Sequence, residues 1–210
     1  MRGEYSRNLS RFDHYEKARA EFRLIVSDGF DTARGICEGR AGPALRPVIT
    51  EARPGGENVY TVGALDYLSD KLANVLRGSG VGGGDRVAAM LDQAAARVIA
   101  YLAAWKAGAI AVPLSPRSEP RQARDLMQVA TPKAAFIQDS CDPTLIGLIK
   151  GLGASVFIVS DDVYSLHTES DERNFWKETY EASSDFGPAA GLSDPHAFLF
   201  RVRGFEDEPG

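Results

Sequence analysis

The sequence predicts an α/β fold: a mostly parallel sheet with helices on both faces, preceded by a small leader of one helix and a hairpin. Two observations carry this. From residue 61 onward, short apolar runs alternate with helical patterns, which is the rhythm of βαβ units. The runs are continuously apolar, as strands covered on both sides of a parallel sheet must be. No repeat or low-complexity tract interrupts the rhythm. The division that follows is a leader over residues 1–58 and a βαβ-repeating subdomain over 59–210.

In the leader, "DHYEKARAEFRLIV" places Tyr15, Ala18, Phe22 and Ile25 at steps of three and four, an amphipathic helix. "RPVITEA" (46–52) reads as a strand, "RPGGEN" (53–58) as a turn and "VYTV" as a returning strand. Thr61 can cap the next helix, whose apolar face is Leu65, Leu68, Leu72, Val75 and Leu76. Glycines over 78–84 end it, and "DRVAAML" (85–91) follows as a buried strand. "AAARVIAYLAAWKAG" (94–108) is a second helix with Val98, Leu102 and Trp105 on one face and Gly108 as its stop. "AIAVPLS" (109–115) is strand-like. "EPRQARDLMQVA" (119–130) has proline in its first turn and reads as a third helix. "KAAFIQD" (133–139), "DPTLIGLIKGLG" (142–153) and "SVFIVSDD" (155–162) continue as strand, helix, strand. Residues 163–193 lose the rhythm and read as a polar surface excursion with a short helix around Phe175–Tyr180. A last strand-like run, "HAFLFRV", covers 196–202.

Composition narrows the function. With 24 basic against 29 acidic residues the net charge is −5, which lacks the basic face that nucleic-acid binding needs. No apolar run reaches the roughly 20 residues needed to span a bilayer, and the charged start has no signal-peptide core, so a cytoplasmic protein is expected. Cys37 and Cys141 are too far apart in sequence for a zinc or redox pair and read as reduced thiols. His14, His167 and His196 show no ligand spacing, so no metal site is expected. No G-x-S-x-G elbow is present for a hydrolase. "SDDV" (160–163) sets two carboxylates at a strand end, but a solvated turn explains them. Trp105 and the Phe175–Trp176 pair read as packing.

Gly78, Gly80 and Gly83 satisfy G-x-G-x-x-G. A dinucleotide loop must follow a strand and open a helix, so that the helix N-terminus meets the pyrophosphate. Here a helix precedes the glycines and a strand follows. The negative end of a helix dipole would face the phosphate, so the loop is expected to be a turn and a nicotinamide or flavin protein is rejected.

Read together, "YTVGALDYLSDKLANVLR" (60–77) and "WKAGAIAVPLSP" (105–116) resemble the N-terminal part of the adenylate-forming enzymes. That superfamily includes the acyl-CoA synthetases, the luciferases and the adenylation domains of peptide synthetases. The first stretch matches its first core motif, an aromatic-Thr pair, a Leu, then Ser-x-x-Leu-Ala. The second matches Lys-Ala-Gly and a strand ending Val-Pro-Leu. "YEKARAEFRLIVSDGFDTARGICEG" is similar to the leader of medium-chain and acetyl-type acyl-CoA synthetases, enzymes of fatty acid metabolism. The resemblance covers about residues 12–200. It implies activation of a carboxylic acid with ATP and Mg²⁺ to an acyl-adenylate, then transfer to a thiol such as CoA. In that family both motifs are mainly architectural, so no catalytic residue is assigned to this chain.

The family's phosphate loop follows a strand and runs Tyr/Phe-Thr-Ser-Gly-Thr-Thr-Gly-x-Pro-Lys-Gly. "DPHAFLF" (194–200) matches the lead-in strand, but "RVRGFEDEPG" follows, and only Gly204 and Pro209 agree. Arg201, Val202 and Arg203 replace the aromatic, Thr and Ser; Phe205, Glu206 and Asp207 replace both threonines and the second glycine; Gly210 replaces the lysine. Glu206 and Asp207 would oppose a polyanion, each at a cost on the order of several kcal/mol at ~4 Å if poorly screened. Arg203, Gly204 and Pro209 are the remnant expected to touch phosphate, if any does. The family's adenine pocket, metal-binding glutamate and lid with its catalytic lysine lie beyond this stretch. The expectation is therefore a synthetase truncated at its nucleotide loop, as a frameshift or early stop would leave it. It is inactive alone and has no cofactor of its own, although ATP, Mg²⁺ and CoA serve the full-length family. The alternative is a non-catalytic interaction module or half of a split synthetase. Such a chain exposes apolar surface and forms a homodimer or captures a separately encoded remainder.

Overall fold

The computed structural model describes residues 32–37, 44–53, 56–160, 172–187 and 198–199, all within Asp31–Gly210, the second of the chain's two compact units. The amphipathic helix expected over 13–26 lies outside them. A short helix α1 (Thr32–Cys37) is followed by the antiparallel hairpin β1 (Pro47–Arg53) and β2 (Gly56–Thr61). Then come α2 (Val62–Gly78), β3 (Arg86–Met90), α3 (Ala94–Lys106) and β4 (Ile110–Leu114). The order continues α4 (Pro120–Ala130), β5 (Ala134–Gln138), α5 (Pro143–Gly151) and β6 (Ser155–Val159). It closes with β7 (Arg173–Asn174) and α6 (Phe175–Glu181).

β3 to β7 form one parallel sheet in the order β4-β3-β5-β6-β7. Residue alternation along these strands builds two cores. Val87, Ala89, Ala111, Ala134, Phe136, Phe157 and Val159 face α2, α3 and α6. Ala88, Met90, Val112, Ala135, Ile137, Val156 and Ile158 face α4 and α5. Both sets are almost free of polar atoms, which is why the strands read as continuous apolar runs.

The helices start and stop for local reasons. Thr61 caps α2, its Oγ1 accepting the Ala64 N–H at 3.1 Å. Leu65, Leu68, Leu72, Val75 and Leu76 are all buried, as the spacing predicts. Pro120 and Pro143 stand in the first turns of α4 and α5, where a missing N–H costs nothing. α3 departs from expectation. Its buried face is Ala95, Ala96, Ile99, Ala100, Leu102, Ala103 and Ala104, while Val98 and Trp105 are half-buried at its margin. Alanines leave little bulk, so α3 can lie close to the sheet and to α2.

The polar excursion also carries more than its one expected helix. β7 adds a short fifth strand beside β6, and Phe175 and Trp176 enter the core, Phe175 edge-on to Phe136 at 5.4 Å. Beyond α6, residues 182–187 lie along α2. Lys71 donates to the Ala182 carbonyl, Asn74 to those of Ser183 and Asp185, and Arg77 to that of Gly187. Among the described residues no helix is long and apolar enough to cross a membrane.

Candidate functional site

In open parallel sheets, ligands gather outside the carboxyl ends of strands, where the strand order reverses. Here the chain steps from β3 outward to β4 and then back across to β5, so the reversal lies between β3 and β5. Asp92 and Gln93 follow β3; Gln138 ends β5 and Asp139 and Cys141 follow it; Ser160 follows β6. Gln93 Nε2 donates to the Ser160 carbonyl at 3.1 Å, closing over the strand ends. Gln138 is buried and its Oε1 has no hydrogen-bond partner. Burial pushes the Cys141 thiol up to about 11. A backbone hydrogen bond at Gln138 works the other way, and the Asp92 and Asp139 carboxylates add to the rise. Cys141 is a free thiol, as the sequence reading has it, and a thiol held protonated is a poor nucleophile. Of "SDDV", only Ser160 is among the described residues.

Of the strand expected over 196–202, only Phe198 and Leu199 are among the described residues, and they meet the edge of β4 through a single bridge. Phe198 bridges Ala111 in parallel, and the Leu199 N–H donates to the Ala111 carbonyl at 2.9 Å. The Phe198 ring stands edge-on to Tyr101 at 5.4 Å and to Trp105 at 5.0 Å. Trp105 therefore packs against the Phe198 ring, which makes it a packing residue as the sequence implies. The parallel pairing points the chain at Phe198–Leu199 toward the carboxyl end of the sheet. Arg203, Gly204 and Pro209, the expected phosphate remnant, lie outside the described residues.

The two long motifs hold the scaffold together. Lys106, at the end of α3, reaches Asp66 Oδ1 at 2.6 Å and Asp70 Oδ1 at 2.8 Å, and also donates to the Asp66 carbonyl. Burial pulls this ammonium's pKa down, but the bonds and charges of the two aspartates outweigh it and hold the pKa above its ordinary value. Cys37 belongs to the same cluster. Burial first, and then the Asp66 carboxylate, push its thiol up to about 12. Gly108, the third residue of Lys-Ala-Gly, has φ +78°, which a side chain would strain.

The glycine loop is a turn, as its order in the chain requires. Gly80 and Gly84 have φ near +80° and +74°, whereas Gly78 and Gly83, first and last of the apparent motif, do not have positive φ. Asp85 Oδ2 accepts the Gly82 N–H at 2.9 Å and Lys133 Nζ at 3.0 Å, which ties the loop to itself and to the start of β5. His14, His167 and His196 lie outside the described residues. Among those described, no group of His, Cys, Asp and Glu could hold a metal ion.

Three structural residues were not singled out from the sequence. Glu51 of the hairpin accepts the Ala95 N–H at 2.8 Å and so caps α3, whose own Gln93 does not. Arg173 clasps Glu178 with two bonds of 2.7 Å, donates to Ser79 and lies over the Phe157 ring. Gln138 is the third. Glu51 and Arg173 act across large sequence separations, which no local pattern shows.

Comparison with known proteins agrees with this architecture. The family model for the AMP-binding enzyme matches residues 41–197. The 3-hydroxybenzoate–CoA ligase of Aromatoleum sp. (strain CIB) is 32% identical over 98 residues, 46% of this chain and 19% of the ligase. Surfactin synthase subunit 2 of Bacillus subtilis (strain 168) is 32% identical over 118 residues, 56% of this chain but 3% of that synthase. Among solved structures, the Brucella canis acyl-CoA synthetase superposes with a TM-score of 0.68 at 20% identity, covering 88% of this chain and 33% of the synthetase. ATP-bound MatB from Rhodopseudomonas palustris gives 0.64 at 22%, over 80% of this chain and 31% of MatB. These structural likenesses show the fold. The chain spans about a fifth of the ligase and about a third of the solved structures.

Proposed function

The chain belongs to the family of AMP-binding enzymes, and from that premise we propose that it is the N-terminal scaffold of an ATP-dependent acid–CoA ligase which, by itself, does not adenylate an acid. The observation that carries the reading is the junction at the sheet edge. Phe198 makes an isolated parallel bridge to Ala111 of β4, yet the sequence after Leu199 keeps only Gly204 and Pro209 of the family's hydroxyl-and-glycine turn. That turn grips a triphosphate with donors and no competing charge. Glu206 and Asp207 bring charges of the wrong sign, so this stretch does not fit ATP, and Arg203, Gly204 and Pro209 are at most a weak remnant.

In the whole enzyme, ATP with Mg²⁺ would activate the acid and CoA would accept the acyl group. The hydroxybenzoate ligases among its relatives favour an aromatic acid, and the leader's resemblance favours a fatty one. Such chemistry belongs in the cytoplasm. Exchange of labelled pyrophosphate into ATP tests the reading, with 3-hydroxybenzoate, benzoate, octanoate and acetate offered in turn. No acid should raise exchange above the protein-free rate; acid-dependent exchange by the 210-residue chain would sink the proposal.

A second reading, an association module or one half of a split synthetase, is favoured by exposed apolar side chains. Leu45, Val48 and Val59 on and beside the hairpin and Val129 on α4 are open to solvent. Light scattering across a concentration series should give a mass rising above one chain, or one that shifts when the remainder of a synthetase is added. A constant single-chain mass under both conditions removes this reading.

A further inference from the structure

We draw no further inference here: the strongest candidate, the buried Gln138 side chain at the carboxyl end of β5 with its unpartnered Oε1, shares its strand face with Phe136 and the α2–α3 core, whereas the Asp92 and Asp139 carboxylates act on Cys141 in the core of the opposite face, so the acidic cluster has no second observation that points to a ligand.

Discussion

Lys106 ties two helices together through one ammonium group. Its side chain is only 10% exposed, and two carboxylates at 2.6 and 2.8 Å replace the water it gives up. Removing it leaves Asp66 and Asp70 facing each other without a counter-charge. Because both aspartates are partly solvated, the loss falls between that of a surface pair and that of a buried one. Lys106→Met should therefore cost about 1–3 kcal/mol in urea unfolding, and a change within error would show that packing of the stem, not the charge, is what matters. The pH dependence has a fixed sign. The folded pKa lies above the ordinary 10.5, so the stabilisation is fully present below pH 10.5 and fades as pH rises through the folded value. The gap between wild type and Lys106→Met should be flat from neutral pH to about 10 and shrink above it. The lysine is visible in the Lys-Ala-Gly motif, which the family resemblance marks as architectural. Its partners were not visible, because nothing in a one-dimensional pattern says that the face of α2 bearing Asp66 and Asp70 meets the end of α3.

At the scale of elements, the loop between α2 and β3 separates the two meanings of a glycine motif. In a dinucleotide site the first glycine is indispensable, since it makes the tight turn out of the strand. Here Gly78 is the last residue of α2, without a positive φ, and a Cβ built on it meets nothing within 4 Å. Gly78→Ala should be neutral or stabilise by up to about 1 kcal/mol, through helix propensity. Gly80→Ala should cost about 1–2 kcal/mol, because alanine is strained at φ +80°. Melting curves of the two variants decide the matter, and the reverse ranking would contradict the turn assignment. Elements were legible where physics writes a local period. The leucine face of α2 is one such case, and the runs 86–90, 134–138 and 155–159, apolar on both faces, are others. The hairpin too was readable from its Pro-Gly-Gly turn. Illegible were the elements without such a period. β7 has two residues, and a pair of residues shows no alternation. The core face of α3 is mostly alanine, whose weak hydrophobic signal drew attention to the bulkier Val98 and Trp105 at its margin. Strand order also stayed hidden, since it depends on which helix crosses which face.

At the scale of the whole molecule, two apolar cores on one parallel sheet account for the fold, and the edge beside β4 accounts for its proposed limits. A family scaffold can be intact and still lack the means to hold a nucleotide. Rate enhancement in acid activation requires donors placed where charge develops on the transferring phosphate, and the sequence from Arg201 to Gly210 offers carboxylates in their place. In the sequence the proposed site is a departure from pattern, in Phe205, Glu206 and Asp207, rather than a set of functional groups, and these residues lie outside the described ones. Equilibrium dialysis of the 210-residue chain against labelled ATP with Mg²⁺ tests the proposed deficit directly. The account predicts no saturable binding up to millimolar ATP, and the same result for the chain carrying Arg203→Ala. Saturable binding at micromolar ATP, lost on Arg203→Ala, would contradict it.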